Sequence, residues 1–332
     1  MSYQIEPHQH TIQRGVSCCG VGLHTGRTVN LTINPAPAHT GIQFLRSDLP
    51  DRPVIPARVE QVSQTTLATT IGKGAHAIST TEHLLAALRG CGVDNAVVEL
   101  DSHEVPIMDG SAGPFIRLLK TAGLLRQRAL RKVMRITRPI VYTEGSKSIR
   151  IDPYNGYKVT ARIQFDDALI NEQQYSIEVT PERFIKEIAK ARTFGFVEQV
   201  EHLWQNGLAL GSTLDNVIAI HWDRRSILNE DGLRFDDEFI RHKVLDIIGD
   251  MALLGSPLMG HVTADCSGHG LHHAFMQAII GNPLAWEYVT FKKNGNSLLR
   301  QVVKTTQDSG NRFAPLFRPL GPTISPQPVC LI

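Results

Sequence analysis

The sequence predicts an α+β fold with two domains, each a β-sheet layered with two helices, and a site between the two helix layers. The chain has 332 residues, which is long for a single domain. Patterns typical of strands, a helix, a strand and a second helix follow each other twice along the chain. No repeat of individual residues accompanies this order, so the two halves share a layout only.

The first domain is expected within residues 1–127. Thr28 to Ile33 alternates apolar and polar residues, as a half-buried strand does. Ser79-Thr80-Thr81-Glu82 is a capping-box pattern, which predicts the start of a helix that ends near Gly90. The other elements expected here are strands at 42–45, 54–59 and 95–100, and a helix that starts within the turn at 109–114 and runs to about Gly123.

The second domain is expected within residues 132–300, and a basic stretch at 126–138 overlaps its start. A solvated linker is the simplest interpretation of that stretch, and contact with phosphates or a membrane face is the alternative. An apolar insertion interrupts this domain at about 192–232, and the proline-rich residues 301–332 are expected to form a mobile tail. The regular elements expected here are strands at 140–142, 148–151, 157–165 and 260–265, a helix around His242 that closes at Gly255, and a helix that residues 267–269 open and that runs to Ile280.

Composition and charge narrow the class of function. Hydrophobic residues make up 42% of the chain and charged residues 20%, as in a globular enzyme with a sizeable core. The net charge of +2 argues against a dedicated nucleic-acid binder, which is normally clearly basic. The N-terminus lacks the apolar run of a secretory signal, and the apolar stretch Val244 to Val262 contains Asp246 and Asp250, which are costly in lipid. We therefore expect a cytoplasmic protein without a transmembrane segment.

The strongest chemical signal is the spacing of His242, Asp246 and Asp250. Residues four apart lie on one face of a helix, and this polar ridge adjoins a strongly apolar face. Buried charges persist when they are paired or bound to a metal, and His-x3-Asp is ligand spacing for a divalent cation. On spacing alone, a buried structural ion pair explains the ridge equally well.

Glu82 and His83 begin the helix at the corresponding place in the first domain. If the helix layers face each other, His83 can converge with His242 and Asp246. Two histidines and one carboxylate with an open position form a catalytic zinc pattern. Glu82 would then be placed as a general base, although its spacing from Ser79 alone favours a role as helix cap.

His269 lies between two glycines at the expected start of a helix, where the backbone can approach a ligand. A nearby Asp250 would favour its protonated form, which suits a general acid, and a loop histidine without a role is the alternative. The glycine-rich segment Gly20 to Gly26 lacks the lysine and hydroxyl residue of a P-loop. A hairpin or a cleft wall is therefore favoured there over a phosphate cradle.

Six motifs, in order, resemble the family of zinc-dependent UDP-3-O-acyl-N-acetylglucosamine deacetylases of lipid A biosynthesis. The resemblance extends from about residue 10 to Phe291, and the family has two sheet-plus-two-helix domains with the active site between them. Two departures are visible: Leu271-His272-His273 stands where Leu-Asn-Asn is associated with the family, and the tail is longer than expected. The motifs are GVGLHTG at 20–26, TEHL at 81–84, PIMDGS at 106–111, ARTFGF at 191–196, LNEDGLR at 228–234 and HKVLDIIGD at 242–250.

The resemblance implies a Zn²⁺ cofactor bound by His83, His242 and Asp246. It also implies Glu82 as the general base and His269 as an electrostatic or general-acid residue. By the same resemblance, Asp250 would orient His269, and Thr193 would donate a hydrogen bond to the developing oxyanion. Lys243 would contact the substrate. The insertion around Phe194, Leu203 and Leu210 would form a passage for the fatty acyl chain.

The implied reaction is hydrolysis of the N-acetyl group of UDP-3-O-(3-hydroxyacyl)-N-acetylglucosamine, near the inner membrane surface of a Gram-negative-type bacterium. Peripheral contact with that membrane is left open. Two other classes of function stay open as well. One is a zinc amidohydrolase with a different N-acyl substrate. The other is a non-enzymatic RNA-binding module of similar layout, which fits the net charge of +2 and the acidic ridge poorly.

Overall fold

The computed structural model describes residues 6–294 and 297–303, with the backbone alone at 293–294 and 297–300. It confirms the α+β class, because runs of strands that form mainly antiparallel sheets are separated by a few helices along the described chain. The elements of the N-terminal half are β1 His8–Ile12, β2 Val16–Val21, β3 Thr28–Pro35, β4 Ile42–Arg46, β5 Val54–Pro56, β6 Val62–Gln64, β7 Thr70–Ile71, α1 Glu82–Gly90, β8 Ala96–Leu100, α2 Gly113–Ala122 and β9 Leu124–Leu130.

The C-terminal half contains the 14-residue helix α5 and, between α3 and α5, the insertion, which includes α4. In chain order its elements are β10 Val133–Ile136, β11 Ile140–Glu144, β12 Lys147–Asp152, β13 Tyr157–Gln164, β14 Glu172–Glu178, α3 Pro181–Arg183, β15 Phe194–Phe196, α4 Val200–Gln205, β16 Ile218–Ile220, α5 Glu238–Met251, β17 Leu258–Asp265, α6 His269–Ile280, β18 Trp286–Asn294 and β19 Ser297–Val302.

The first main sheet has five strands in the order β2-β3-β8-β4-β5. Its central strand β8 pairs antiparallel with β3 and parallel with β4. Val29, Leu31 and Ile33 of β3 are fully buried, as the alternating sequence predicts. Leu84 of α1 and Phe115 of α2 are buried in one hydrophobic cluster with these strand residues, and α2 lies against both α1 and β2.

The second main sheet has eight strands and is organised around β17. This strand pairs antiparallel with β12 and parallel with β13, and its first two residues pair parallel with β10. β18 and β19 continue the sheet beyond β10. Helix α5 lies against β13 and β14, and α6 lies against β11 and β12, so two helices cover this sheet as well.

The two helix layers meet where α1 crosses α5. Gly249 of α5 lies at the point of contact, since a Cβ there would be 2.1 Å from the carbonyl oxygen of Glu82. The missing side chain therefore allows the start of α1 to rest directly on α5. This contact brings Glu82 and His83 to the part of α5 that carries Asp246 and Asp250.

Two predictions about the ends of these units are wrong. Residues 126–138 are not a solvated linker, because they form most of β9, which pairs with β1, and all of β10 in the second sheet. Arg131 is anchored there, with Nη2 2.6 Å from Asp94 Oδ2. Residues 301–302 end β19 instead of beginning a tail, and residues 304–332 of the expected tail lie outside the described residues. The domain ranges 1–127 and 132–300 stay predictions. Over the described part of the chain, none of the helices combines the length and hydropathy that a membrane crossing requires.

Candidate metal centre

The three predicted metal ligands lie together at the crossing of the two helix layers. His83 comes from α1, and His242 and Asp246 come from successive turns of α5. Asp246 Oδ1 lies 3.6 Å from His83 Nε2 and 3.3 Å from His242 Nε2. All three side chains are buried, and one ligand atom from each lies within 4.8 Å of the other two.

These distances fit a shared divalent cation. With bonds of about 2.0–2.2 Å, two tetrahedral ligands lie about 3.3–3.6 Å apart. Asp246 Oδ1, the atom nearest to both histidine Nε2 atoms, is buried without a hydrogen-bond partner, a costly arrangement for a polar atom that no cation or water contacts. His242 Nδ1 donates to the carbonyl oxygen of Ala191 at 3.0 Å, which leaves Nε2 free to bind a metal.

The protonation of His242 and Asp246 also suits a metal site. Burial lowers the pKa of His242 to about 3, so its imidazole is neutral, as a metal ligand must be. Burial acts to raise the pKa of Asp246, but His242 and Lys243 hold it well below its ordinary value. A neutral His242 cannot form an ion pair with Asp246, so the cationic neighbour of this carboxylate is Lys243, whose Nζ lies 3.3 Å from Oδ2.

A second cluster lies beside the ligands and contains Glu82, His269 and Asp250. Glu82 Oε1 lies 3.8 Å from His269 Nε2, and His269 Nδ1 donates to Asp250 Oδ2 at 2.7 Å. Burial acts to lower the pKa of His269, but Asp250 and Glu82 raise it to about 10. Burial raises the pKa of Glu82 against the opposing charge of His269. Adjacent groups with perturbed pKa values beside a metal group are typical of acid–base chemistry.

Glu82 does not belong to a capping box, so that interpretation is wrong. Thr81, and not Ser79, immediately precedes the helix, and Glu82 is its first residue. The Glu82 carboxylate accepts a hydrogen bond from the Thr69 N–H at 3.1 Å. Its other oxygen is therefore left to face His269.

The insertion encloses an apolar cavity of about 280 Å³. Within it β15 and β16 form a parallel pair, and α4 supplies further apolar side chains. Thr193, Phe194 and Leu203, all predicted to contact substrate or its oxyanion, line this cavity. The ring of Phe194 lies 6.3 Å from that of His242, so the cavity adjoins the metal ligands. Other apolar lining residues are Leu23, Leu67, Phe196, Val200, Trp204 and Leu214.

Leu210, predicted to share this role, does not line the cavity. Its N–H donates to the carbonyl oxygen of His24 at 3.1 Å, and its side chain is 52% exposed. It borders a separate surface depression together with Val21 and Met108. The backbone bond to the Gly20–Gly26 turn holds this part of the insertion on the outer side of the cavity wall.

Two buried contacts fix the segment that leads into the cavity. Arg192, 1% exposed, lies with Nε 3.0 Å from Oε1 of the fully buried Glu238 at the start of α5. The Thr193 N–H donates to the carbonyl oxygen of Gly110 at 2.9 Å. The segment is thus tied to both units, which places the Ala191 carbonyl on His242. Lys243 lies at the rim of the site, with Nζ 3.3 Å from Asp246 Oδ2 and 5.4 Å from the centre of the Phe194 ring.

The glycine-rich segment 20–26 is the turn between β2 and β3, and Leu23 and His24 form a wall of the cavity. The prediction of a hairpin and the prediction of a cleft wall are therefore both confirmed for this segment. The buried Glu104 holds it by accepting from the N–H groups of His24 at 2.8 Å and Thr25 at 2.9 Å. Burial lowers the pKa of His24, whose Nε2 has no hydrogen-bond partner.

Sequence reasoning missed two residues of the second cluster. Thr69 Oγ1 donates to Asp250 Oδ1 at 2.6 Å, so Thr69 contacts both Asp250 and Glu82. His272 Nδ1 lies 2.7 Å from Asp250 Oδ2. The departure from the family pattern at 271–273 was the one signal that pointed to His272, and no spacing marked Thr69.

Comparisons with known proteins identify the family of the chain. The sequence model of the UDP-3-O-acyl N-acetylglycosamine deacetylase family matches residues 9–281. Three similar proteins bear the name UDP-3-O-acyl-N-acetylglucosamine deacetylase. The protein of Oleidesulfovibrio alaskensis is 50% identical over 273 residues, which is 82% of this chain and 88% of the relative. Those of Methylococcus capsulatus and Idiomarina loihiensis are 48% and 47% identical, over 86% and 85% of this chain and 94% and 93% of their own lengths. The resemblance in the motifs is confirmed, and the chain belongs to the UDP-3-O-acyl N-acetylglycosamine deacetylase family.

Proposed function

We propose that the protein is a zinc-dependent deacetylase that hydrolyses the N-acetyl group of UDP-3-O-(3-hydroxyacyl)-N-acetylglucosamine in the committed step of lipid A biosynthesis. The observation that carries the proposal is a juxtaposition at the crossing of α1 and α5. There the metal-ligand group meets a carboxylate–histidine cluster on one side and an apolar cavity on the other. The names of the relatives describe an N-acetylated and O-acylated UDP-sugar, and such a substrate needs all three features.

His83, His242 and Asp246 would hold the zinc ion. Zinc in such a site supplies Lewis acidity, which polarises an amide carbonyl and makes a water molecule a better nucleophile. The protein contributes the orientation of the ligands. The Ala191 carbonyl fixes the His242 ring, and the depressed pKa of Asp246 keeps its carboxylate ionised.

The amide is cleaved by addition of water across the C–N bond. Glu82 accepts a proton from the attacking water while the water oxygen bonds to the carbonyl carbon. Thr193 donates a hydrogen bond to the oxyanion that develops on the carbonyl oxygen. When the C–N bond breaks, the nitrogen takes a proton from His269 or Glu82, and acetate and the free amine are released.

Asp250 and Lys243 support this chemistry without reacting. Asp250 holds the His269 ring through Nδ1, which leaves Nε2 directed toward Glu82. The Lys243 ammonium lies between Asp246 and the Phe194 ring. At that place it can meet an anionic part of the UDP-sugar as the acyl chain enters the cavity.

The acyl chain is assigned to the cavity lined by Phe194 and Leu203. Burial of each methylene contributes up to about 0.8 kcal/mol, so several methylenes change specificity by orders of magnitude. Trp204 and Leu214 line the cavity and are also 52% and 47% exposed, so they form an apolar rim. We assign to this rim a peripheral contact with the cytoplasmic surface of the inner membrane, where an acylated substrate resides.

The proposal is tested by acetate release from zinc-loaded protein, measured with the acylated substrate and with UDP-N-acetylglucosamine. We expect rapid release from the first and very slow release from the second. Equal rates would favour an amidohydrolase of broader specificity, and the absence of release from both would contradict a deacetylase. Sedimentation with anionic vesicles, compared between wild type and Trp204→Ser, tests the membrane contact, which equal sedimentation would contradict.

A further inference from the structure

His272 has no role in the chemistry above, yet it belongs to the same hydrogen-bond network. It lies in the first turn of α6, three residues after His269, and its side chain is 1% exposed. Its Nδ1 lies 2.7 Å from Asp250 Oδ2, and its Nε2 lies 2.8 Å from Ser267 Oγ. Both ring nitrogens are therefore engaged in a position closed to solvent.

One carboxylate oxygen serves two imidazoles. His269 Nδ1 also lies 2.7 Å from Asp250 Oδ2, whereas Oδ1 accepts from Thr69 Oγ1 at 2.6 Å. Burial acts to raise the pKa of Asp250, but His269 and His272 hold it below its ordinary value. An ionised carboxylate can only accept, so both histidines donate from Nδ1. The Ser267 hydroxyl can then donate to His272 Nε2.

This sharing has a positional and an electronic consequence. The two rings are nearly perpendicular, with an interplanar angle of 86° and centroids 6.0 Å apart. Their N–H groups thus reach Oδ2 from different directions and fix its position. A second donor also stabilises the negative charge of Asp250. Asp250 Oδ2 then attracts the proton on His269 less strongly, so His269 releases that proton more readily.

We propose that His272 is a positioning residue of this site, which fixes the Asp250 carboxylate and keeps the proton of His269 transferable. The kinetic part of this inference rests on the proposed deacetylation, whereas the hydrogen-bond part does not. A histidine that merely fills the core would contribute to folding without affecting the protonation of His269.

Other titratable groups also face His269 and influence its protonation. They are Glu82 of α1, Asp246 and Asp250 of α5, and His24 of the turn between β2 and β3. These groups stay unchanged when His272 alone is substituted. A difference between wild type and variant therefore reports the contribution of His272.

His272→Phe keeps a ring of similar size at the buried position and removes the donor. In zinc-loaded enzyme we expect kcat to fall by about 10- to 100-fold, with KM and zinc content near those of wild type. We expect the basic limb of the pH–rate profile to move up by about half to one pH unit, a three- to tenfold rise in proton affinity. His272→Asn should recover most of the loss, because an asparagine amide nitrogen is as many bonds from Cα as histidine Nδ1.

His273→Ala is the matched control, since His273 is the next residue, is only half-buried and bonds to Gln277 instead of Asp250. It should leave the rate and the pH profile unchanged. Nitrogen NMR of the imidazoles in zinc-loaded protein gives a second readout that needs no turnover. The pKa of His269 should rise in His272→Phe and stay near the wild-type value in His272→Asn.

The outcomes separate this proposal from the proposed function. If wild type releases no acetate, the deacetylase assignment fails, and the NMR titration still decides the role of His272. A slower His272→Phe enzyme with an unshifted basic limb and unshifted His269 titration would overturn the proposal, as would a His272→Asn enzyme no better than His272→Phe. Should His272→Phe not fold, Ser267→Ala, which frees only Nε2 of His272, should move the His269 titration in the same direction, and no movement would overturn the proposal.

Discussion

Substitution of Gly249 by alanine tests whether the close crossing of α1 and α5 assembles the metal centre. A Cβ at this position would lie 2.1 Å from the carbonyl oxygen, 2.8 Å from the carbonyl carbon and 3.1 Å from the Cα of Glu82. All three are backbone atoms of a helix, so no rotamer change can relieve the clash. The two helices must therefore move apart.

The size of the effect follows from these distances. Ordinary contact of a Cβ begins at 3.4 Å, so the helices must separate by about 1 Å in a close-packed interior. A metal site tolerates ligand displacements of about 0.2–0.5 Å, and His83 would move relative to His242 and Asp246 by more than that. We expect zinc affinity to fall by about 10- to 100-fold and kcat/KM by about 100-fold.

The expected loss of stability is smaller than the loss of function. Overpacking of a core costs about 1–3 kcal/mol, and replacement of a helical glycine by alanine contributes about 1 kcal/mol in the opposite direction. Zinc titration and acetate release measure the functional loss, and chemical denaturation measures the free energy of unfolding. Gly270→Ala in α6 is the control for stability, because its Cβ would lie 3.6 Å from Thr65 Oγ1, an ordinary contact. Wild-type zinc affinity and activity in Gly249→Ala would refute this reasoning.

Three further predictions concern the acid–base cluster and the cavity. Glu82→Gln should retain zinc while kcat falls by about 10²- to 10⁴-fold, because it removes the proton acceptor; near-normal acetate release would reduce Glu82 to a structural residue. The pKa of His269 is raised from 6.5 to about 10 on folding, so its charge stabilises the fold fully below pH 6.5 and loses that effect as the pH rises toward about 10. The difference in Tm between wild type and His269→Gln should therefore shrink over this range, and a constant difference would contradict the pairing. Leu203→Asp should lower kcat/KM for the acylated substrate selectively, whereas Leu210→Asp, outside the cavity, should not; equal losses in the two variants would argue against the acyl passage.

The grouping of the candidate metal ligands is predictable from sequence because part of their arrangement is local. His242 and Asp246 are four residues apart on one helix, so their shared face follows from helix geometry alone. The position of His83 required an additional inference from the repeated layout of sheets and helices. That inference holds because Gly249 lets the two layers touch at Glu82.

The surroundings of the ligands could not be predicted in the same way, because they depend on distant pairings. Thr69 and Asp250 are 181 residues apart in the chain and meet only in the folded protein. Leu203 and Leu210 are both leucines of the same apolar insertion, yet only Leu203 lines the cavity. The basic stretch 126–138 was mistaken for a linker because its strand partners, β1, β17 and β18, lie more than a hundred residues away on either side.

The sharpest test of the metal assignment is a titration of metal-stripped protein with zinc, with bound zinc and acetate release measured on the same samples. We expect one zinc ion per chain, and acetate release that rises in proportion to bound zinc up to one equivalent. We expect His242→Ala to lose both. Full acetate release by the metal-free protein, or stoichiometric zinc in His242→Ala, would contradict the assignment of His83, His242 and Asp246 as the ligands of a catalytic metal.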